Sequence, residues 1–433
     1  MPRPLAKDSA ARPERPGPAG HEIRVAAEGV KTDTWLLFTS RMIRMFAYGL
    51  LAVILGLYLS ERGFNARQIG LLITLTLAGD TVVSLYLTSV ADRLGRRRTL
   101  LVGALLMAGA GMLFAAASQF WLLLAAATVG VISPSGNEVG PFLAVEQAAL
   151  AQTMPRGRLT AFFAWYNLAG SFSTALGALA SGLAAQALNA QGMSLAASYR
   201  VLVVAYGGLG LLLALIANAL SPAVEAARSS GDIPRPKARF GLHRSRHVVL
   251  KLSALFLLDA FAGGLVVQSL VAYWFHVRFG LEAGLIGAIF FGANLMAGIS
   301  ALGAVRIAKR YGLLNTMVFT HLPSNLLLIL VPLMPTLPLV ILVFLMRFSL
   351  SQMDVPTRQA YILAAVSPEE RSAAGGVANV ARTVGAALSP MLAGMLLGST
   401  GSLGAIFILA GGLKILYDLL LLRGFSGIAV PEE

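Results

Sequence analysis

The sequence contains no cysteine. That excludes disulfide scaffolding, thiolate nucleophiles and cysteine-ligated metal centres. Charge is also scarce: Asp, Glu, Lys and Arg make up 12% of the 433 residues, against about 25% in soluble domains. Acids are the rarer sign, 20 against 34 bases, and lysine is rarer still, 6 against 28 arginines. No Walker-type phosphate loop, zinc-binding H-E-x-x-H pair, nucleophile elbow or cluster of histidines occurs. ATP-driven transport and metal- or nucleophile-based catalysis therefore have no carrier, and neither a cofactor nor a bound metal is expected. The chain reads as a non-enzyme.

What is abundant is apolar. Hydrophobic residues make up 57% of the chain, with a mean hydropathy of +0.74. A bilayer-spanning helix needs about 20 mostly apolar residues. Twelve such runs fall at about 34–59, 66–91, 99–118, 120–153, 159–186, 198–220, 248–277, 283–308, 313–333, 337–366, 372–397 and 402–423. The fourth and tenth are too long for one straight span and contain Pro134, Pro141 and Pro356, so kinks or extensions are expected there. Residues 1–32, rich in Pro, Arg and Ala, read as a disordered cytoplasmic tail with a short interfacial segment over Glu22 to Val30. Residues 33–220 form a first group of six spans and 248–424 a second. Residues 221–247 read as a cytoplasmic linker and 425–433 as a tail.

The +14 net charge does not point to nucleic acid, because the bases lie in the loops. One set of alternating loops, with both termini, holds 24 Lys and Arg; the opposite set holds four, Arg62, Arg67, Arg200 and Arg278. Positive loops stay cytoplasmic, which places both termini in the cytoplasm. The reading is a monomeric, multi-pass protein of the cell (inner) membrane, whose partners are the lipid bilayer, a small-molecule or ion substrate and protons.

The densest positive loop, between the second and third runs, reads TSVADRLGRRRT over Thr88 to Thr99. Gly95 suits the left-handed turn of a two-helix connection. Here the chain resembles the major facilitator superfamily of secondary transporters, whose corresponding loop reads roughly G-x-x-x-D-R-x-G-R-R/K. Asp92, Arg93, Gly95, Arg96 and Arg97 fit, while Thr88 stands at the leading glycine. The resemblance implies an all-α membrane protein with twelve transmembrane helices in two pseudo-symmetric six-helix bundles, and helices 1, 4, 7 and 10 around a central cavity. An internal repeat agrees: Gly63 and Ile69-Gly70 recur as Gly280 and Ile286-Gly287, and ADRLG from Ala91 recurs as AKRYG from Ala308.

Six bases and six acids lie inside the spans: Arg41, Arg44, Arg347, Arg358, Arg382 and Lys414, with Asp80, Glu138, Glu146, Asp259, Asp354 and Asp418. Charges in hydrocarbon are costly and mark function by default, and equal numbers suggest pairing. At 1.5 Å per residue, Arg41, Arg44, Glu138, Glu146, Asp259, Asp354 and Arg358 fall at compatible depths on spans 1, 4, 7 and 10. They are the candidate substrate and proton site. The acids would exchange protons, and the arginines would hold anionic groups or the ionised acids. Asp80 and Arg382 are expected to bridge the halves. With Asp92, Arg93, Gly95, Arg96 and Arg97 they would form a conformational latch, Asp92 facing the N-terminus of span 11. Lys414 and Asp418, four apart, read as a local pair.

Two departures separate the chain from the superfamily's drug/proton antiporters. Span 5 has no proline in YNLAGSFSTALGALASG, and TVGVISPSGNEVG has no match to their usual arginine. The expected function is a secondary active transporter of a small polar or charged solute by alternating access, proton-coupled, with export as one of the two directions left open by the sequence. The alternative is a transport-inactive sensor or scaffold of the same fold. Seven charges retained at the cavity spans favour the transporter.

Overall fold

A computed structural model describes residues 18–153, 156–225, 245–367, 370–399 and 403–426. Residues 1–17 of the expected tail, 226–244 of the linker and 427–433 lie outside the described residues.

The chain folds into twelve helical passes. In the first half these are α1 (Pro18–Glu61), α2 (Ala66–Leu94), α3 (Arg96–Ala116), α4a and α4b (Phe120–Val129 and Phe142–Thr153), α5 (Arg156–Ala190) and α6 (Leu195–Ala219). The second half comprises α7a and α7b (Arg246–Leu265 and Gln268–Phe279), α8 (Ala283–Tyr311), α9 (Leu313–Leu330), α10a and α10b (Leu337–Ser351 and Asp354–Ala364), α11a and α11b (Arg371–Leu388 and Pro390–Leu397) and α12 (Ala405–Phe425). Among the described residues eleven passes are long and apolar enough to cross a membrane, and the short apolar helix α4a opens the twelfth. Large apolar side chains such as Trp121, Trp165, Leu215 and Phe319 remain exposed on the outer surface, as a lipid-facing surface requires. The first helix starts at Pro18, inside the segment expected as a disordered tail.

The fourth pass breaks fully where the sequence suggested only a kink. Between α4a and α4b, residues 130–141 leave helical geometry. Pro134 and Pro141 lack an N–H to continue the ladder, and Gly136 and Gly140 take φ of 70° and 79°, a region that favours glycine.

Glycines also set how the halves meet. α2 packs on α11b, and α5 packs on α8; in the repeat these are equivalent pairs. A Cβ on Gly70 would lie 2.5 Å from the Pro390 carbonyl oxygen and 2.9 Å from the Gly394 Cα. On Gly182 it would lie 2.4 Å from the Ala283 oxygen. Both contacts lie at the end of the bundle opposite Pro18 and Ser426, the first and last described residues. The halves are sealed there, and backbone-to-backbone packing is the means.

Candidate functional site

The unwound stretch 130–141 is held by side chains from four neighbouring helices. Tyr206 on α6 donates to the Val131 oxygen at 2.6 Å, and Tyr48 on α1 to the Val139 oxygen at 3.2 Å. Asp80 on α2 accepts the Gly140 N–H at 2.8 Å. Ser269 at the start of α7b donates through its hydroxyl and its N–H to the Pro134 oxygen, at 2.8 and 3.0 Å. Backbone groups that leave a helix inside a membrane need such partners.

This stretch carries Glu138 into the first charged cluster. Arg44 is fully buried. Its Nε donates to Glu138 at 2.7 Å, and its two Nη groups grip Glu146 at 2.7 and 2.8 Å, the bidentate geometry that suits a guanidinium to a carboxylate. Arg41 donates to Glu138 at 2.8 Å, to the Tyr166 carbonyl at 3.1 Å and to Asn167 at 3.2 Å. Ser40 donates to Glu146 at 3.0 Å, and the Tyr166 hydroxyl donates to the same carboxylate. The Arg41 and Arg44 planes also lie over the rings of Tyr166 and Phe142. Two bases and two acids satisfy one another, and they tie α4b and the unwound stretch to α1 and α5.

The second cluster lies in the other half. Asp259 on α7a accepts Lys414 Nζ from α12 at 2.5 Å and Arg358 Nη1 from α10b at 3.1 Å, with His321 Nε2 from α9 at 3.9 Å. The same Arg358 nitrogen donates to Asp354 at 2.9 Å. Behind His321, Asp418 lies 2.9 Å from the imidazole Nδ1 and accepts Asn325 at 2.8 Å. Lys414 and Asp418 therefore do not form the local pair their spacing suggests. Each is captured by a group on another helix, and both captors hold it inside the bundle. His321 and Asn325 were missed by the sequence reading; their signal was an imidazole and an amide four apart in an apolar run whose other polar side chains are Asn315, Thr316, Thr320 and Ser324.

Between the clusters lies a central cavity of about 780 Å³ bounded by both halves. Arg41, Glu138, Asp259, Asp354 and Arg358 line it, together with Asp80, His321, Arg347, Arg382 and Lys414. Arg44 and Glu146 do not line it; they stand behind Glu138. The seven candidate residues thus form two clusters, not one, facing each other across the void.

The expected latch is placed differently. Asp80 spends its carboxylate on the Gly140 N–H and on Ser84 at 3.2 Å, and no ion pair joins it to Arg382 among the described residues. Asp92, with 71% of its side chain exposed, pairs with Arg96 at 3.1 Å. Arg96 also reaches Gln152 at 2.8 Å, and its N–H donates to Glu225 at 2.7 Å. Arg97 bonds the Asn218 carbonyl and side chain. Gly95, at φ 102°, separates α2 from α3, and Arg93 lies in the last turn of α2. All these partners belong to the first half or to the turn after it. In this conformation the loop ties down its own half.

The Major Facilitator Superfamily model matches residues 37–353. A Saccharomyces cerevisiae protein described as "Uncharacterized membrane protein YJR124C" is 29% identical over 435 aligned residues, covering 94% of this chain and 97% of that protein. Among solved structures, the nucleoside transporter NupG superposes with a TM-score of 0.69 at 14% identity, covering 92% of this chain and 100% of that one. A bacterial homolog of the human lysosomal transporter Spinster, in an inward-facing and occupied conformation, gives 0.67 at 14% identity, covering 91% and 94%. The human organic anion transporter MFSD10 gives 0.58 at 16%, covering 90% and 99%. At these identities the structures show the fold.

Proposed function

Because the chain belongs to the Major Facilitator Superfamily, we propose that it is a proton-coupled secondary transporter of a small charged solute, working by alternating access around the central cavity. One observation carries the reading: Asp259 lies on the cavity wall and is shared by Lys414, Arg358 and His321 from three other helices. A carboxylate in that position is a single point through which three helices can be released together.

The coupling follows from charge. Ionised, Asp259 holds Lys414 and Arg358. A proton on it removes both charge-assisted contacts, leaving Lys414 without its acid at the cavity wall and Arg358 held by Asp354 alone. The other groups that act on Asp259 are Asp354 beside Arg358, Asp418 behind His321, and Arg347 and Arg382 at longer range. The seal at Gly70–Gly394 and Gly182–Ala283 closes one mouth. With the termini on the cytoplasmic side, as the loop charges direct, this conformation faces the cytoplasm in the cell membrane. The conformational latch of Asp80 and Arg382, with the Asp92–Arg97 loop, would engage when the halves rock the other way.

The test is flux in proteoliposomes under an imposed pH gradient, with wild type and Asp259→Asn side by side. Solute movement that follows the gradient in wild type and loses that dependence in the variant supports the reading, and its sign gives the direction of transport. Unchanged flux with unchanged pH dependence in Asp259→Asn removes Asp259 from the mechanism. Binding of a ligand with no flux for any solute favours a sensor.

A further inference from the structure

The cavity wall of the second half carries four cations, Arg347, Arg358, Arg382 and Lys414, and two acids, Asp259 and Asp354. Arg358 and Lys414 use both acids. Arg347 and Arg382 are left over. Among the described residues neither guanidinium makes a hydrogen bond or ion pair, and the Nε of each is buried without a partner. Arg347 lies over the Phe348 ring at 4.8 Å, a contact that leaves its N–H groups open. Arg382 lies in the repulsive field of the Arg358 cation, and both feel the charges of Asp259 and Asp354 without coming within ion-pair distance of either. A guanidinium nitrogen buried without a partner is costly, and a guanidinium is shaped to receive a planar or tetrahedral oxyanion through two parallel bonds. Asn379, one turn before Arg382 on α11a and therefore on the same face, also lines the cavity and adds a side-chain amide.

We propose that Arg347 and Arg382 form the anion subsite of the central cavity, and that the solute carried is a small organic anion bearing a carboxylate or phosphate group. This rests on the transporter reading above and narrows it. The first half contributes no comparable opening, since Arg41 and Arg44 are saturated by Glu138, Glu146 and their neighbours. The anion completes the shell of the two arginines that the protein leaves incomplete.

Thermal unfolding of the purified full chain tests this, with citrate and inorganic phosphate as probes. Sodium chloride at matched ionic strength, sucrose and tetraphenylphosphonium serve as controls. Wild type is expected to gain a saturable rise in Tm with citrate or phosphate beyond that of chloride, as a ligand specific for the folded state gives. Arg347→Gln and Arg382→Gln should lose that rise, and their ligand-free Tm should stay level or increase, because an unpartnered charge has been removed. Arg200→Gln, an exposed position far from the cavity, should respond as wild type. Should the Gln variants fold poorly, Arg347→Lys and Arg382→Lys keep the charge but lose the fork, and the half-saturating anion concentration should rise at least about tenfold. The proposal is overturned by no anion response in wild type, by an unchanged response in both Gln variants, or by wild-type half-saturation in both Lys variants. Proteoliposomes separate the two levels. Proton-driven flux of a neutral or cationic solute without any anion response sinks the subsite alone. Anion stabilisation that needs both arginines, with no flux of any solute, sinks the transporter reading and keeps the subsite.

Discussion

The two halves solve the problem of membrane-buried charge in opposite ways. In the first half, Arg41 and Arg44 meet Glu138 and Glu146 in a closed set, with Arg44 and Glu146 at 0% exposure. Every strong donor has an acceptor, and the set stitches a broken helix to its neighbours. In the second half, Asp259 is claimed by Lys414 and Arg358 with His321 nearby, while Arg347 and Arg382 have no hydrogen-bond or ion-pair partner among the described residues. A closed set builds structure; an open set leaves room for a proton and a ligand. Equal numbers of acids and bases in the spans concealed this. The spans hold six of each, but two of the acids are spent elsewhere, Asp80 on the Gly140 N–H and Asp418 on His321 and Asn325.

The contrast can be broken by charge removal on each side. Arg44→Met leaves Glu138 and Glu146 short of their main cation in the interior. It should cost about 3–5 kcal/mol, seen as a large fall in Tm or in the yield of folded protein. A fall of under about 1 kcal/mol would contradict the structural role given to the first cluster. Next in size is the surface on which the halves close. Gly394→Val places a side chain against the Ala66 oxygen, which lies 2.4 Å from the position of a Cβ. Such overpacking costs about 1–3 kcal/mol, and it should prise open the sealed end. The native chain has no cysteine, so thiol labelling of Ala66→Cys reports that opening without background, and labelling should speed up in the valine variant. Asp259→Asn should lower proton-driven flux at least about tenfold, equivalent to about 1.4 kcal/mol in the barrier, while disturbing Tm less than Arg44→Met. The smallest effect belongs to single struts of the unwound stretch. Tyr206→Phe removes the hydrogen bond to Val131 and should cost about 1 kcal/mol in thermal unfolding.

The fold was legible because the bilayer imposes it. Apolar runs of span length, the loop at Asp92–Arg97 and the offset repeat of Gly63, Ile69 and Gly70 sufficed for twelve passes in two groups. The charged residues of the cavity were also legible, since any charge within such a run stands out. Their pairings were not. The depth estimates assumed continuous helices, and the fourth pass unwinds over residues 130–141. That moves Glu138 off helical phase and onto Arg41 and Arg44, and it exposes the Gly140 N–H that captures Asp80. In this conformation Arg382 consequently has no acid to bridge to among the described residues. The proline and glycine content of SPSGNEVGP held the signal for the break, but a kink and a full interruption share that signature. The Lys414 and Asp418 spacing fitted a local pair, and only packing of α7a, α9 and α12 reveals stronger partners for each. His321 was hidden for a simpler reason: a lone histidine in an apolar run carries no charge signal.

One experiment tests the contrast between the halves most directly: ligand-free thermal unfolding of Arg44→Gln and Arg382→Gln, measured with wild type in the same detergent. A closed set in one half and an open set in the other predict opposite outcomes, a marked fall in Tm for Arg44→Gln and an unchanged or higher Tm for Arg382→Gln. Equal falls in both variants would contradict it.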